Sequence, residues 1–300
     1  MTLQQLKYVI TVAETGTITE AAKKLYISQP SLTNAIHDLE KEMNVEIFHR
    51  TNKGIDISKE GEDFLGYARQ VLEQAAILED KYKNGSGGKK QFCVSTQHYS
   101  FAVNVFVDLI QQYGQEEYDF SLRETQTYEI IEDVAKMKSE IGILFLNEFN
   151  EKVLRKLMKA NDLEFHPLFT ARPHVFISRR HPLADHTIIT NEELEAYPYL
   201  SFEQGEHNSF YFSEEIFSTT ERKKNIRVRD RATLFNLLIG LNGYTVCSGV
   251  IDRNLNGEDI IAVPLQDESE MQIGYLTHRR GMRSRLGETY LAFLKEYLKD

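Results

Sequence analysis

The amino-acid sequence predicts an α/β protein in which an N-terminal, all-α winged helix-turn-helix precedes a bilobed domain of two Rossmann-like subdomains. First, 300 residues exceed what one compact core usually holds and suggest about two domains. Second, apolar residues recur at helical spacing as far as about residue 82, whereas later segments alternate between strands and helices. Third, the stretch Asn84–Gly88, Asn-Gly-Ser-Gly-Gly, has the composition of a flexible linker.

We therefore expect four segments: a winged helix-turn-helix over 1–58, a long helix over 59–83, a flexible linker over 84–90 and a bilobed domain over 91–300. Lobe 1 should comprise about 91–164 and 268–300, and lobe 2 about 165–267. The chain should cross between the lobes near Glu164–Pro167 and Val263–Glu268.

The helix-turn-helix is predicted from two short helices joined by a tight turn. Gly16 ends the first helix, and either Thr17 or Thr19 caps the second. The buried face of the first is formed by Leu6, Val9, Ile10 and Ala13, and that of the second by Ile18, Ala21, Ala22 and Leu25.

A third helix is predicted to follow, with Ser28 as its N-cap and Pro30 in its first turn, where a missing N–H costs nothing. Asn44 stands where this helix should end, because Asn tolerates the left-handed conformation. The short alternating stretches Val45–Phe48 and Ile55–Ile57 around Thr51–Gly54 then predict a hairpin, the wing.

The long helix from Ser58 onward has an apolar seam close to a 3.5-residue period, interrupted by Glu79. We favour a dimerisation helix, because the linker after it leaves little local core to cover the seam. The alternative is a helix packed on its own domain. The seam consists of Leu65, Ala68, Leu72, Ala75 and Tyr82.

The later part of the chain alternates strand and helix, which predicts a mainly parallel sheet with helices on both faces, repeated in two lobes. The expected strands are 92–96, 120–124, 141–146, 174–178, 226–229 and 245–248. The expected helices are 101–113, 130–138, 209–219 and 232–241.

Composition bounds the function classes. The net charge is −10, and residues 1–60 carry seven basic side chains against eight acidic ones, so a protein that coats nucleic acid is excluded. Any DNA binding must come from a few placed contacts. No apolar run is long enough to span a bilayer and the N-terminus lacks a secretory layout, so we expect a cytoplasmic protein.

The N-terminal part closely resembles the signature of LysR-type transcriptional regulators. The similarity is carried by Ala21-Ala22, Leu25, Ser28-Gln29-Pro30-Ser31, Leu39-Glu40, Phe48, Arg50 and Gly61. Weaker similarity extends over the rest of the chain, at His181–Ala184, Glu193-Leu194, Tyr197-Pro198 and Gly240–Gly243. The resemblance implies a periplasmic-binding-protein-like C-terminal domain that binds a small-molecule co-inducer, and a homodimer or homotetramer that binds double-stranded operator DNA.

On this sequence the third helix would enter the major groove at its N-terminus. Gln29 or Asn34 would bind an adenine edge and Pro30 a thymine methyl, whereas Ser28 and Thr33 would reach phosphate. The full candidate DNA-binding set is Ser28, Gln29, Pro30, Ser31, Thr33 and Asn34, with Arg50 and Lys53 on the wing. Asn34 departs from the family, which often has Arg there, and this predicts weaker non-specific binding.

Two loops that follow predicted strands and lead into helices are the candidate effector site, because ligands of such sheets sit beyond the carboxyl ends of strands. An anion seat facing Glu203 or Glu206 would suit an amino-acid-like zwitterion. The Thr96-Gln97 loop is similar to that of family members that sense sulfur-assimilation intermediates such as O-acetylserine. The candidates are Ser95, Thr96, Gln97, His98, Tyr99, Ser100, Ser201, Phe202, Glu203 and Gln204.

Other functions find less support. No nucleotide-binding glycine motif, nucleophile elbow or zinc-protease motif occurs, and no cofactor, metal site or enzymatic activity is expected. Cys93 and Cys247 are too few for a disulfide framework. They leave one alternative, a thiol-based redox sensor of the same fold, although both lie in predicted strands where thiols are usually inert.

Overall fold

The computed structural model describes residues 1–51, 54–82, 90–113, 117–251 and 257–298. The chain divides into two compact units, Met1–Gly87 and Gly88–Asp300. No helix in these ranges is long and apolar enough to cross a membrane.

The N-terminal unit contains the three predicted helices: α1 (Leu3–Thr15), α2 (Ile18–Lys24) and α3 (Gln29–Met43). Gly16 ends α1 with a φ of 70°, and Thr17, not Thr19, caps α2 by accepting a hydrogen bond from the N–H of Glu20. The apolar faces of the three helices form one core that includes Leu6, Val9, Ala21, Leu32 and Leu39.

Helix α3 begins and ends where the sequence predicts. The Ser28 hydroxyl accepts from the N–H of Ser31, and Asn44 adopts a left-handed conformation with a φ of 52°. Its buried face consists of Leu32, Ile36 and Leu39. The opposite face is exposed to solvent.

The wing consists of β1 (Phe48–Thr51) and β2 (Gly54–Ile57), which pair antiparallel with Phe48 opposite Ile57. The prediction of a strand over Val45–Phe48 was wrong at its start. The N–H groups of Ile47 and Phe48 both donate to the Glu40 carboxylate, at 2.7 and 3.1 Å, so this segment is bonded to α3 before the ladder begins.

The long helix α4 (Lys59–Tyr82) is partly buried in the N-terminal core and partly exposed. Leu65 and Ala68, in the first half of the predicted seam, are each only 2% exposed and lie in the core of the N-terminal unit. There the alternative interpretation is correct. Val71 and Leu78, one heptad apart, are 40% and 59% exposed. The predicted linker over 84–90 falls almost wholly outside the described residues.

In the C-terminal unit, lobe 1 is built on a five-stranded sheet in the order β4-β3-β5-β12-β6. Strand β3 pairs parallel with β4 and β5, whereas β12 runs antiparallel to β5 and β6. The strands are β3 (Lys90–Thr96), β4 (Tyr118–Glu124), β5 (Ile141–Leu146), β6 (Leu163–Ala171) and β12 (Met271–His278). The helices are α5 (Ser100–Tyr113), α6 (Thr127–Ala135), α7 (Glu151–Ala160) and, last in the chain, α10 (Arg285–Tyr297).

Lobe 2 is less parallel than predicted. Strand β7 lies between β10 and β11 and runs antiparallel to both, while β8 and β9 form a separate parallel pair. The strands are β7 (His174–Ser178), β8 (Tyr199–Phe202), β9 (Asn225–Val228), β10 (Thr245–Cys247) and β11 (Ile260–Pro264). The helices are α8 (Asn191–Leu194) and α9 (Arg231–Leu241).

The first crossover lies later than predicted. Residues 163–171 form β6, which pairs with β12 and so belongs to lobe 1 rather than to lobe 2. The chain reaches lobe 2 only between Ala171 and His174, and it returns between β11 and β12. The lobe boundary at 164–165 was therefore wrong by about one strand length.

The predicted helix over 209–219 was also wrong. It is reduced to a single 3-10 turn, Phe210–Phe212. The polar and aromatic groups of this segment bind elsewhere: Glu214 contacts His98, Tyr211 stacks on Phe149, and Phe212 lies edge-on to Tyr128. These contacts join the segment to lobe 1.

Candidate functional sites

The candidate DNA-contacting surface is the exposed face at the start of α3. Ser28, Gln29, Pro30, Ser31 and Asn34 are exposed there, and Thr33 is half-buried. The capping hydroxyl of Ser28 lies 2.8 Å from that of Ser31, and the Thr19 hydroxyl donates to Gln29 Oε1 at 3.3 Å. Lys53 and the Arg50 side chain, predicted contacts of the wing, lie outside what the structure describes.

The candidate effector site is a cleft between the two lobes of the C-terminal unit, partly open to solvent. It lies where β3 ends and α5 begins, and where α9 begins in lobe 2. Such a position, beyond strand ends and at a helix start, is the usual ligand site of α/β sheets. Its lining residues are Gln97, His98, Tyr99, Ser100, Phe176, Phe202, Glu214, Glu215, Arg231, Leu234, Phe235, Thr245, Val246, Cys247, Ser248, Val250 and Met271.

Half of the predicted effector residues line this cleft: Gln97, His98, Tyr99, Ser100 and Phe202. The others face elsewhere. The Ser95 hydroxyl donates to Asp133 at 2.9 Å, and the Thr96 hydroxyl donates to the Gln97 carbonyl at 2.8 Å. These two side chains form hydrogen bonds at the end of β3 and do not line the cleft.

The predicted residues of lobe 2 behave in the same way. Ser201 is buried, and Gln204 accepts a hydrogen bond from the N–H of Thr127 at 3.0 Å. Glu203 is ion-paired with Arg229, and Glu206 is exposed. Neither carboxylate lines the cleft, so neither faces the predicted anion seat of lobe 1.

His98 joins the two lobes at the mouth of the cleft. Its backbone N–H donates to Glu214 Oε2 at 3.0 Å, and its ring Nδ1 lies 2.8 Å from the same oxygen. The ring stacks on Phe202 with 3.7 Å between centroids. Burial alone would lower the pKa of His98, but the charge and hydrogen bond of Glu214 raise it above its usual value. The Glu214 carboxylate thus stabilises the cationic form of the imidazole.

Glu215 is the second carboxyl of the cleft and is almost fully buried. One of its oxygens accepts a hydrogen bond from the N–H of Phe202 at 2.8 Å. Burial, and then the charge of neighbouring Glu214, raise the pKa of Glu215 to about 8. The group is therefore mainly protonated at neutral pH and changes to a carboxylate only when a cation approaches or the pH rises.

Arg231 and Thr245 bring unsatisfied polar atoms to the lobe 2 wall. Arg231 Nη2 lies 3.1 Å from Glu124 Oε1, in an ion pair without hydrogen-bond geometry. Within the described residues, Arg231 Nη1 and the hydroxyl of Thr245, a residue only 4% exposed, have no hydrogen-bond partner. A buried polar atom without a partner costs about 1–3 kcal/mol, which makes these two atoms ready to bind an incoming acceptor.

The two thiols are in unreactive surroundings. Burial raises the pKa of Cys93, whose Sγ lies 3.0 Å from the Ser139 hydroxyl. Burial also raises the pKa of Cys247, which lines the cleft. Because thiolates are the reactive species, both shifts oppose redox chemistry at these positions.

Sequence reasoning missed Glu214, Glu215, Arg231 and Thr245. Arg231 could have been found, since it lies between the predicted strand over 226–229 and the predicted helix over 232–241, as the chosen loop of lobe 1 lies between a strand and a helix. The two glutamates could not, because the predicted helix over 209–219 hid the turn that brings them to the cleft.

Both units of the chain match known protein families. Residues 3–62 match the bacterial regulatory helix-turn-helix protein, lysR family, and residues 92–299 match the LysR substrate binding domain. It is 24% identical over 302 residues to the uncharacterized regulator YbhD of Escherichia coli strain K12, covering 97% of this chain and 90% of that one. It is also 39% identical over 89 residues to the regulator ClcR of Pseudomonas putida, covering 30% of each chain.

Solved structures share the fold. Full-length OxyR from Pseudomonas aeruginosa matches with a TM-score of 0.66 at 19% identity, covering 100% of this chain and 95% of that one. CbnR, a LysR family transcriptional regulator, matches with a TM-score of 0.59 at 18% identity over the whole of both chains. Because the two family matches together span most of the sequence, the chain belongs to the LysR family of DNA-binding transcriptional regulators.

Proposed function

We propose that this regulator is controlled by an amino-acid-like effector bound in the cleft between its lobes. The observation that carries the proposal is the pair of unsatisfied donors, Arg231 Nη1 and the Thr245 hydroxyl, on one wall of that cleft. A carboxylate accepts hydrogen bonds from a guanidinium and a hydroxyl at once, and charge-assisted bonds of this kind are the strong ones.

The other polar groups of the cleft suit the second charge of a zwitterion. Glu215 can release its proton to face an ammonium, and Glu214 already carries the His98 contact. Between the polar groups, the wall is apolar and would hold an aliphatic or aromatic side chain: Phe176, Leu234, Phe235, Val246, Val250 and Met271. O-acetylserine is one member of this class. The similarity of the Thr96-Gln97 loop favours it less than expected, because the Thr96 hydroxyl donates to the Gln97 carbonyl and does not line the cleft.

For operator recognition, we propose that Gln29, Pro30, Ser31 and Asn34 read bases in the major groove from the exposed start of α3. Ser28 and Thr33 would contact phosphate, and Arg50 and Lys53 would act from the wing. Because acidic side chains outnumber basic ones in residues 1–60, one unit should bind DNA poorly alone, and we expect two units on one operator.

Pairing of α4 in a homodimer, or in a homotetramer built from two such dimers, would supply the second unit. The exposed Val71 and Leu78 are the proposed contacts, since they are spaced by a heptad and are not covered by the N-terminal core. The proposed division is 1–58 for DNA binding, 59–83 for pairing, 84–90 for the linker and 91–300 for effector binding. The lobe boundaries are moved to the crossovers described above.

Calorimetric titration of the full-length protein with three matched ligands tests the effector class. An amino acid with an apolar side chain should bind, whereas its N-acetyl derivative and its amide, which each lack one charge, should bind much more weakly. O-acetylserine belongs in the same panel. Heat with an aromatic acid and none with any amino acid would contradict the proposal.

The thiol-sensing alternative has less support than the small-molecule interpretation. The OxyR likeness is at 19% identity and concerns the fold, and burial raises the pKa of both thiols.

A further inference from the structure

The turn between α2 and α3 holds a large side chain in a backbone conformation that disfavours it. The N–H of Tyr26 donates to the Lys23 carbonyl at 3.1 Å, and the N–H of Ile27 donates to the Ala22 carbonyl at 3.0 Å. These two bonds form a Schellman motif at the end of α2, which requires a left-handed residue and usually uses Gly. Tyr26 occupies that position with a φ of 54°.

Packing does not explain this residue. Among the described residues, two other large side chains have a positive φ, Met137 and Phe217. Phe217 packs against the core of the C-terminal unit and Met137 is half-buried, so their contacts can offset the backbone strain. Tyr26 is 95% exposed. A strained residue with almost no contacts in the protein suggests a contact outside it.

The position of Tyr26 indicates what that contact is. It stands two residues before Ser28, the N-cap of the recognition helix. When such a helix enters the major groove, the residues around its N-terminus lie beside the phosphates at the edge of the groove. The nearest hydroxyls of the helix, those of Ser28 and Ser31, are hydrogen-bonded to each other.

We propose that Tyr26 is a DNA-contacting residue whose phenol hydroxyl donates a hydrogen bond to a phosphate at the edge of the major groove. A neutral donor suits a unit in which acidic side chains slightly outnumber basic ones. The proposal depends on the DNA binding of the family and is independent of the effector proposed above.

The test starts with a duplex that the full-length wild-type protein selects from a random library, which establishes DNA binding first. On that duplex, Tyr26→Phe, which removes only the hydroxyl, should bind about five- to tenfold more weakly. The order of preference among mismatched duplexes should not change, because phosphate contacts carry no base information. The slope of affinity against salt should also stay the same, since a neutral donor releases no counterion.

Tyr26→Gly separates function from folding. It removes the side chain and relieves the left-handed strain, so its melting temperature should equal or exceed that of the wild type while its DNA affinity falls at least as far as that of Tyr26→Phe. Tyr118→Phe, in the C-terminal unit, is the matched control and should leave the affinity unchanged.

Ethylation interference locates the contact. Ethylation of one phosphate in each half-site should weaken wild-type binding, and this effect should disappear for Tyr26→Phe. Wild-type affinity in both Tyr26 variants would overturn the proposal. So would a loss in Tyr26→Gly alone, because the hydroxyl would then make no contact.

Discussion

Gln97 and the pair Arg231 and Thr245 line opposite walls of the same cleft, yet their polar atoms are in different states. On the lobe 1 wall, the Gln97 amide donates to Thr127 and accepts from the Phe145 N–H and the Tyr99 hydroxyl. On the lobe 2 wall, one nitrogen of Arg231 and the hydroxyl of Thr245 have no partner within the described chain.

The difference indicates that the two lobes contribute to different properties of the unit. Polar atoms that already have hydrogen-bond partners gain little when a ligand binds, so the lobe 1 wall mainly supports the fold. A wall with incomplete hydrogen bonds carries a cost of about 1–3 kcal/mol for each unpartnered atom, and a ligand that supplies acceptors removes it. Effector affinity should therefore depend mainly on lobe 2, and folding stability on lobe 1.

The largest expected effect is on Arg231. Arg231→Gln should weaken binding of an amino-acid effector about 100-fold, because a buried charge-assisted hydrogen bond is lost. Calorimetry on the full-length protein measures this. Arg229→Gln is the control, since Arg229 lies two residues away, is exposed and pairs with Glu203. Equal losses in both variants would mean that Arg231 has no special role.

On the opposite wall, Gln97→Leu should lower the free energy of unfolding of the C-terminal unit by about 2 kcal/mol, because its buried partners lose their hydrogen bonds. Urea denaturation followed by circular dichroism gives this value. The exposed Gln112→Leu should change it little. If Gln97→Leu abolished effector binding without destabilising the fold, the proposed division between the lobes would be wrong.

Stability should fall as the pH rises. Glu215 has a folded pKa of about 8, above its unfolded value, so its stabilising contribution is present below pH 4.5 and is lost as the pH rises to 8. The raised pKa of His98 also lowers the folding stability as the pH rises above 6.5. The slope from Glu215 should reach at most about 1.4 kcal/mol per pH unit.

Thermal unfolding between pH 5 and pH 9 measures this dependence. Glu215→Gln, which stays neutral, should flatten the curve, whereas the exposed Glu221→Gln should leave it unchanged. Equal slopes for the wild type and Glu215→Gln between pH 6.5 and pH 8 would contradict the environment described for Glu215.

The smallest expected effect comes from Thr245→Val, which has nearly the same shape but no hydroxyl. Removal of a buried, unpartnered hydroxyl should stabilise the unit by about 1 kcal/mol, while effector affinity falls about fivefold. Melting temperature and calorimetry should thus move in opposite directions. A parallel loss of both would show that the hydroxyl has a structural role.

How far the sequence predicts the structure depends on how local the determining contacts are. Ser28 and Asn44 mark the ends of α3 because a cap bonds its own first turn and a left-handed Asn ends its own helix. The same local logic located Gly16 and the loop from Gln97 to Ser100. These features need no knowledge of distant residues.

The parts that could not be predicted depend on long-range contacts. Glu214 reaches His98 across 116 residues, and this contact replaces the helix that local pattern predicts. Similarly, β6 joins lobe 1 only because β12, about a hundred residues later, pairs with it. Local periodicity carries no information about either partner.

The Glu40 carboxylate, which accepts the N–H groups of Ile47 and Phe48, ties the recognition helix to the base of the wing. The start of α4 packs closely against the same segment. A Cβ atom at Gly61 would lie only 2.2 Å from the Ile47 carbonyl oxygen, so only Gly fits there. Helix α3, the wing and the first turn of α4 therefore form one rigid unit. Substitutions at the exposed residues of α3 would leave these contacts intact, so the angle between α3 and the wing would stay the same.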